Sequence, residues 1–302
     1  MGEAGNAPNF VNVGPGRCGT SWLFQMLQAH PDIAMARVKE TEYFNSNFDR
    51  DDAWYVEHFP QSAKAVGEVS NMYYVDSAVP ERIHAFDPNM KIIFNVRDPE
   101  DLFRSMTSFA ARRGIEVDDI AALLDMPIGR IMGSGWSERA RSGNLNRGDE
   151  VPLREAVLLS RYVRRFADVF PREQIFLMEY DRIAQAPGEL LRDLYTFLGV
   201  RPDFVPEGAD KKVNAAIAPR FRVVGQLATK VSFTLRRLGA HGLLTRLHQS
   251  NLVKRLFYRR IESADIVATA DLPVAFREAL TAERRAMAEL LASLDREKEQ
   301  LA

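Results

Sequence analysis

The sequence predicts a parallel α/β sheet flanked by helices, with a helical extension at its C-terminal end. Three observations carry this. Short β-rich runs alternate with helical patterns, with no internal repeat and no low-complexity linker. Hydrophobic residues make up 46% of the 302 and charged residues 27%, ample material for a covered core. The polar residues with chemical potential fall directly after strand candidates, where ligands sit in open α/β sheets. The length allows one large domain or two small ones. We expect one domain over residues 1–302, with 221–302 as a helical subdomain packed on it.

Taken in order, Phe10 to Val13 reads as a buried strand that runs into glycines. Ser21 to Ala29 follows as a helix, with Leu23, Met26 and Leu27 on one face and His30-Pro31 ending it. Ala65 to Val69 is a further strand, Lys91 to Val96 the strongest in the chain, and Ile175 to Met178 another. A helical stretch from about Arg154 to Phe170 precedes the last of these. Leu272 to Leu294 is a charged amphipathic segment, read as a packing helix.

Composition excludes several classes. The formal net charge is -1, so the whole molecule is no generic polyanion binder, and no nucleic-acid partner is expected. Cys18 is the single cysteine, which rules out an intrachain disulfide and a thiolate metal cluster. The opening MGEAGNAPNF has neither a basic n-region nor an apolar run. No stretch approaches the roughly 18–20 apolar residues of a spanning helix. A cytoplasmic protein is the expectation. From Lys211 to Ile261 there is no acidic residue but many basic ones. Residues 221–260 either meet an anionic membrane surface or form helices packed on the body with a solvated basic face. The packed reading is preferred.

Gly14-Pro15-Gly16-Arg17-Cys18-Gly19-Thr20-Ser21 joins a strand to a helix. Glycines let the backbone turn and aim N–H groups inward, and the helix start favours an anion. The fold class is therefore a P-loop-type parallel β-sheet flanked by helices. An ATP-type loop would read G-x-x-x-x-G-K-[ST]. Gly14 and Gly19 have that spacing, but Thr20 stands in the lysine place and the cation sits earlier, at Arg17. Such a cation suits the bridging oxygen between a 5′-phosphate and a departing group, where charge develops.

GPGRCGTSWL resembles the 5′-phosphosulfate loop of sulfotransferases that use 3′-phosphoadenosine 5′-phosphosulfate (PAPS), whose usual form is close to G-x-x-K-x-G-T-[TS]. Arg17 replaces the usual lysine; arginine keeps the charge but does not readily give up a proton. The resemblance implies that Gly16, Arg17, Cys18, Gly19, Thr20 and Ser21 bind the donor. Trp22 either stacks on its adenine or packs in the core. Arg97 and Ser105, eight positions apart after the strongest strand, resemble the 3′-phosphate motif of the same family. Met178-Glu179-Tyr180-Asp181-Arg182-Ile183 resembles the family segment L-R-Y-E-D-L, which makes Tyr180 an adenine neighbour. Lys211 and Lys212, after Phe197-Leu198-Gly199, match a late basic loop over the 3′-phosphate, or are a solvated surface pair.

Lys39-Glu40-Thr41-Glu42-Tyr43-Phe44 resembles the segment of carbohydrate and bacterial sulfotransferases in which an acid precedes an aromatic pair. It implies Glu40 as general base and Lys39, with Arg17, as a stabiliser of the transferred group; otherwise this is a charged surface loop. Gly67-Glu68-Val69-Ser70-Asn71-Met72-Tyr73 resembles G-E-x-S-P-x-Y, with Asn71 in the proline place. Glu68 and Ser70 then position the acceptor alongside Tyr43, or serve strand-end hydrogen bonds. Residues 112–151, rich in charges and glycines, are expected to form the acceptor lid. His84 has no matching surroundings and is read as structural. The resemblance covers Asn9 to about Asn214. It implies PAPS as donor, the bisphosphate PAP as product, no metal, and a hydroxyl or amine on a small-molecule, carbohydrate or lipid acceptor. The competing readings are a P-loop kinase or nucleotidase and a non-catalytic nucleotide-binding module.

Overall fold

The computed structural model describes residues 7–59, 61–115, 119–133, 139–141, 145–210, 217–219, 258–260 and 271–301. In chain order these form β1 (Phe10–Asn12), α1 (Thr20–Ala29), β2 (Ile33–Met35), α2 (Asp52–Val56), β3 (Ala65–Val69), α3 (Val79–Phe86), β4 (Lys91–Val96) and α4 (Pro99–Arg112). There follow α5 (Ile120–Leu124), α6 (Ile128–Met132), α7 (Leu153–Ala156), α8 (Ser160–Ala167), β5 (Ile175–Glu179), α9 (Arg182–Gln185) and α10 (Pro187–Leu198). A short antiparallel ribbon of β6 (Ile217–Pro219) and β7 (Tyr258–Arg260) and a long α11 (Val274–Leu301) complete them.

Strands β1 to β5 make one parallel sheet in the order β2-β3-β1-β4-β5. The chain leaves β1 towards β2 and β3 on one side, then crosses to β4 and β5 on the other. The strand order thus reverses between β1 and β4, the point in open α/β sheets beyond whose strand carboxyl ends ligands sit. Phe10 registers with Gly67 on one side and Lys91 on the other. A Cβ on Gly67 would lie 2.2 Å from the Phe10 carbonyl oxygen, so this close approach requires glycine.

The strands are mostly apolar, with Asn12, Glu68 and Asn95 the buried polar exceptions, because helices cover both faces. Successive residues point to opposite faces. Phe10 and Ile93 join Leu23, Leu27, Leu190 and Leu194 on one face. Val11, Ile92 and Phe94 join Leu102, Phe103 and Phe166 on the other.

The stretch expected as one helix from Arg154 to Phe170 is two, α7 and α8. The backbone N–H and the hydroxyl of Ser160 donate to the Glu283 carboxylate of α11, each at 2.7 Å, and this starts a new helix at Ser160. The C-terminal helix extends beyond the expected Leu294, to Leu301. It lies against α4 and α8, with Phe276 edge-on to Phe103 at 5.2 Å. Lys211, Lys212 and almost all of the basic block 221–260 lie outside the described residues. Among the described residues, no helix is long and apolar enough to cross a membrane.

Candidate active site

The loop after β1 turns on two glycines. Gly14 and Gly19 take φ of 94° and 84°. A Cβ on Gly14 would meet the Asn71 carbonyl oxygen at 2.3 Å, and one on Gly19 would meet Ile183 Cδ1 at 2.3 Å. Two fully buried asparagines, absent from the sequence reading, hold the loop from below. Asn95 takes the Gly14 carbonyl with its backbone N–H at 2.9 Å and donates from Nδ2 to the Cys18 carbonyl at 2.7 Å. Asn12 Nδ2 donates to Asn95 Oδ1 and, at 2.9 Å, to the Ile93 carbonyl. Their signal in the sequence was an amide inside each of two otherwise apolar strands. Helix α1 begins with Gly19 at its cap position and no side-chain cap bond, leaving its first amides for an anion.

Cations converge on this loop from α4 and β4. Arg97 Nη1 donates to the Arg17 carbonyl at 2.8 Å and holds Arg17 in a left-handed conformation, φ 69°. The Arg97 guanidinium lies over the Tyr180 ring, 4.1 Å from its centroid. Arg17 Nε donates to Ser105 Oγ at 3.2 Å, and its guanidinium faces Phe109. Burial, followed by repulsion from Arg112 and Arg97, pulls the Arg17 pKa down to about 10. Among the described residues neither Arg17 nor Arg97 forms an ion pair, and Arg97 Nε has no hydrogen-bond partner. Asp98, next to Arg97, is engaged elsewhere: it accepts from the Glu100 and Asp101 amides and from Arg284. Arg17 and Arg97, side by side with no ion-pair partner among the described residues, suit an anion.

The segment after β2 reaches the same loop. The Glu40 backbone N–H donates to the Val69 carbonyl at 3.0 Å, and its side chain is 22% exposed. Asn71 Nδ2 donates to Glu40 Oε1, while the Asn71 backbone abuts Gly14. Lys39 Nζ lies 3.3 Å from Glu40 Oε1 and 3.5 Å from Ser21 Oγ. Among the described residues Arg17, Glu40 and Glu42 take positive φ without being glycine, and all lie in these two segments. Two described residues of the 112–151 stretch reach these segments: Met132 packs against Gly16, and Arg139 bridges Asp149 and Glu42.

Other expected site residues lie elsewhere. Glu68 is fully buried and takes no part in an acceptor surface. Its Oε2 accepts from the Thr41 amide and hydroxyl and from the Ser70 hydroxyl. Its Oε1 accepts from Tyr55 and Tyr73 at 2.9 Å each. Ser70 is consumed in that network. Tyr43 is buried too, stacked on Tyr55 with centroids 4.3 Å apart and donating to Asp52. Glu68 and Ser70 thus belong to one buried hydrogen-bond network, and Tyr43 bonds outside it, to Asp52. Trp22 is 3% exposed and donates from Nε1 to the Ala209 carbonyl, the core-packing alternative. Cys18 contributes its carbonyl; burial pushes its thiol up to about 12. His84 is exposed on α3 beside Phe170.

This geometry can be set beside known proteins. The chain is 35% identical over 107 residues to the membrane-associated sulfotransferase kil1 of Dictyostelium discoideum, a match covering 34% of this chain and 22% of that protein. It is 27% identical over 207 residues to the bifunctional heparan sulfate N-deacetylase/N-sulfotransferase 4 of Mus musculus, covering 65% and 23%. The chain thus spans less than a quarter of either relative's length. A solved sulfotransferase from Alicyclobacillus acidocaldarius superposes with a TM-score of 0.56 at 26% identity, covering 86% of this chain and 98% of that one. The family model for the sulfotransferase domain matches residues 8–218, a span that contains the glycine loop, Glu40, Arg97, Ser105 and the whole five-stranded sheet, and this chain belongs to that family.

Proposed function

We propose that this domain transfers a sulfuryl group from PAPS to a hydroxyl or amine of a carbohydrate or other small acceptor, with Glu40 as general base. One observation carries the donor assignment: Arg17 and Arg97 meet at the glycine loop with no ion-pair partner among the described residues, and Arg97 Nε is buried without a hydrogen bond. That orphaned donor fits a phosphate oxygen. PAPS supplies an activated sulfuryl group on its 5′-phosphate and a 3′-phosphate that ATP lacks.

The amides at the start of α1, with Thr20 and Ser21, hold the 5′-phosphate. Arg17 offers a fixed positive charge where negative charge develops on the leaving phosphate, and does so without donating a proton. Arg97 holds the 3′-phosphate, and Ser105 links that region to Arg17. Glu40 takes the proton released by the acceptor as the new S–O or S–N bond forms. Lys39 adds a cation between Ser21 and this base. The heparan sulfate N-sulfotransferase from mouse supports a carbohydrate amine or hydroxyl as the first acceptor to try. Lys211 and Lys212 remain candidates for the 3′-phosphate.

Calorimetric titration with adenosine 3′,5′-bisphosphate (PAP), against ADP and ATP with magnesium, tests this. PAP binds in preference to both, and Arg97→Ala weakens it by about 30-fold or more, as expected for truncating one partner of a buried charge pair. Preference for ATP, or indifference to the 3′-phosphate, overturns the reading.

A further inference from the structure

Arg97 opens the sequence Arg97-Asp98-Pro99-Glu100-Asp101, which sets three carboxylates within four residues of the cation. Two of them have their oxygens turned to other partners. Asp98 Oδ1 accepts from the Glu100 and Asp101 amides at 3.0 and 3.1 Å and from Arg284 Nη2 at 3.2 Å; its Oδ2 accepts from Arg284 Nε at 2.6 Å. Glu100 Oε1 accepts from Arg104 Nη2 at 2.9 Å and Oε2 from Arg284 Nη2 at 2.8 Å. One guanidinium from α11 therefore grips both carboxylates that flank the start of α4. Arg284 is itself held in register. Its neighbour Glu283 is buried against Ser160, and Phe276 on the same helix packs on Phe103 of α4.

We propose that Arg284 is a positioning residue for the donor site: by occupying Asp98 and Glu100 it keeps the Arg97 guanidinium available to the donor's 3′-phosphate. This rests on the PAPS reading above. Arg284 lies outside the span matched by the family model, 8–218, so the role belongs to this chain's C-terminal helix. The electrostatics agree with the geometry. Burial opposes ionisation of Asp98, but the Arg284 hydrogen bonds and the helix amides outweigh it and hold the carboxyl below the usual range. Remove Arg284, and an ionised Asp98 lacks a cation while Arg97 lies one residue away. On this proposal Asp98 then pairs with Arg97, in competition with phosphate.

The test is PAP and AMP affinity by calorimetry, with thermal melting, on wild type, Arg284→Ala, Arg284→Lys, Asp98→Asn and the double variant Asp98→Asn/Arg284→Ala. Asparagine still caps α4, so Asp98→Asn removes charge without removing the cap. Arg284→Ala weakens PAP by about three- to tenfold, the scale of one partly screened charge, and leaves AMP within about twofold. Arg284→Lys retains most of the affinity. In the Asp98→Asn background the loss shrinks below about twofold. A loss of PAP affinity that persists in that background, an equal loss for AMP, or lower melting with unchanged PAP affinity overturns the proposal. Absence of PAP binding by wild type overturns the donor assignment itself, and this inference with it.

Discussion

Glu40 and Glu68 are carboxylates of the same corner of the molecule, and their surroundings give them opposite work. Glu68 is enclosed by five donors from Thr41, Ser70, Tyr55 and Tyr73. Glu40 touches Asn71 and Lys39 and keeps part of its surface open. Glu68→Ala strands those donors and costs about 3 kcal/mol or more, read from the urea midpoint. Glu40→Gln leaves the midpoint and PAP affinity unchanged but lowers turnover by about 10²–10⁴-fold, the range of general-base catalysis. Retained turnover places the base on another residue. Arg17 shows a different balance. Its pKa falls to about 10 on folding, so between there and its ordinary value the unfolded chain binds more protons and stability rises with pH. At neutral pH its buried charge therefore opposes folding. Arg17→Met raises the melting temperature of the ligand-free protein by about 2–4 °C while abolishing stabilisation by PAP. A lower melting temperature in Arg17→Met contradicts the assignment of Arg17 as an unpaired buried cation.

At the scale of elements, legibility followed the reach of the interactions involved. Ala65 to Val69 and Lys91 to Val96 were readable to the residue, since short, predominantly apolar runs suffice to mark strands buried on both faces even with Glu68 and Asn95 inside them. The break between α7 and α8 was not, because a carboxylate 123 residues away makes it. Glu283→Ala leaves the Ser160 amide and hydroxyl buried without that acceptor and costs about 1–3 kcal/mol in urea unfolding. An unchanged midpoint means that water replaces the carboxylate and the helix needs no cap from α11. The same rule explains the asparagines under the loop. Asn12 and Asn95 read as interruptions in apolar strands, and only the strand order, with β1 beside β4, makes them a pair.

Over the whole molecule, the meeting of the strand-end residues at the glycine loop was legible, and the buried polar network around Glu68 was not. Loop, Arg97, Ser105 and Tyr180 follow strand ends, and a parallel sheet brings strand ends together whatever the details of packing. The surroundings of Glu68, Ser70 and Tyr43 depend on which buried polar groups pair, Ser70 with Glu68 and Tyr43 with Asp52, and spacing carries no record of that. A net charge of -1 likewise hid a local concentration of cations, because the compensating carboxylates are directed outward to Arg284 or inward to hydroxyl donors.

Synthesis runs from the glycine loop to α11, and the grip of Arg284 on Asp98 and Glu100 is formed last. A growing chain has Arg17, Arg97 and Tyr180 long before it has residue 284. Until then Asp98 and Glu100 lack the guanidinium that grips both in the finished domain. If Arg284 has the role proposed for it, the donor pocket is finished only when its last helix has been made.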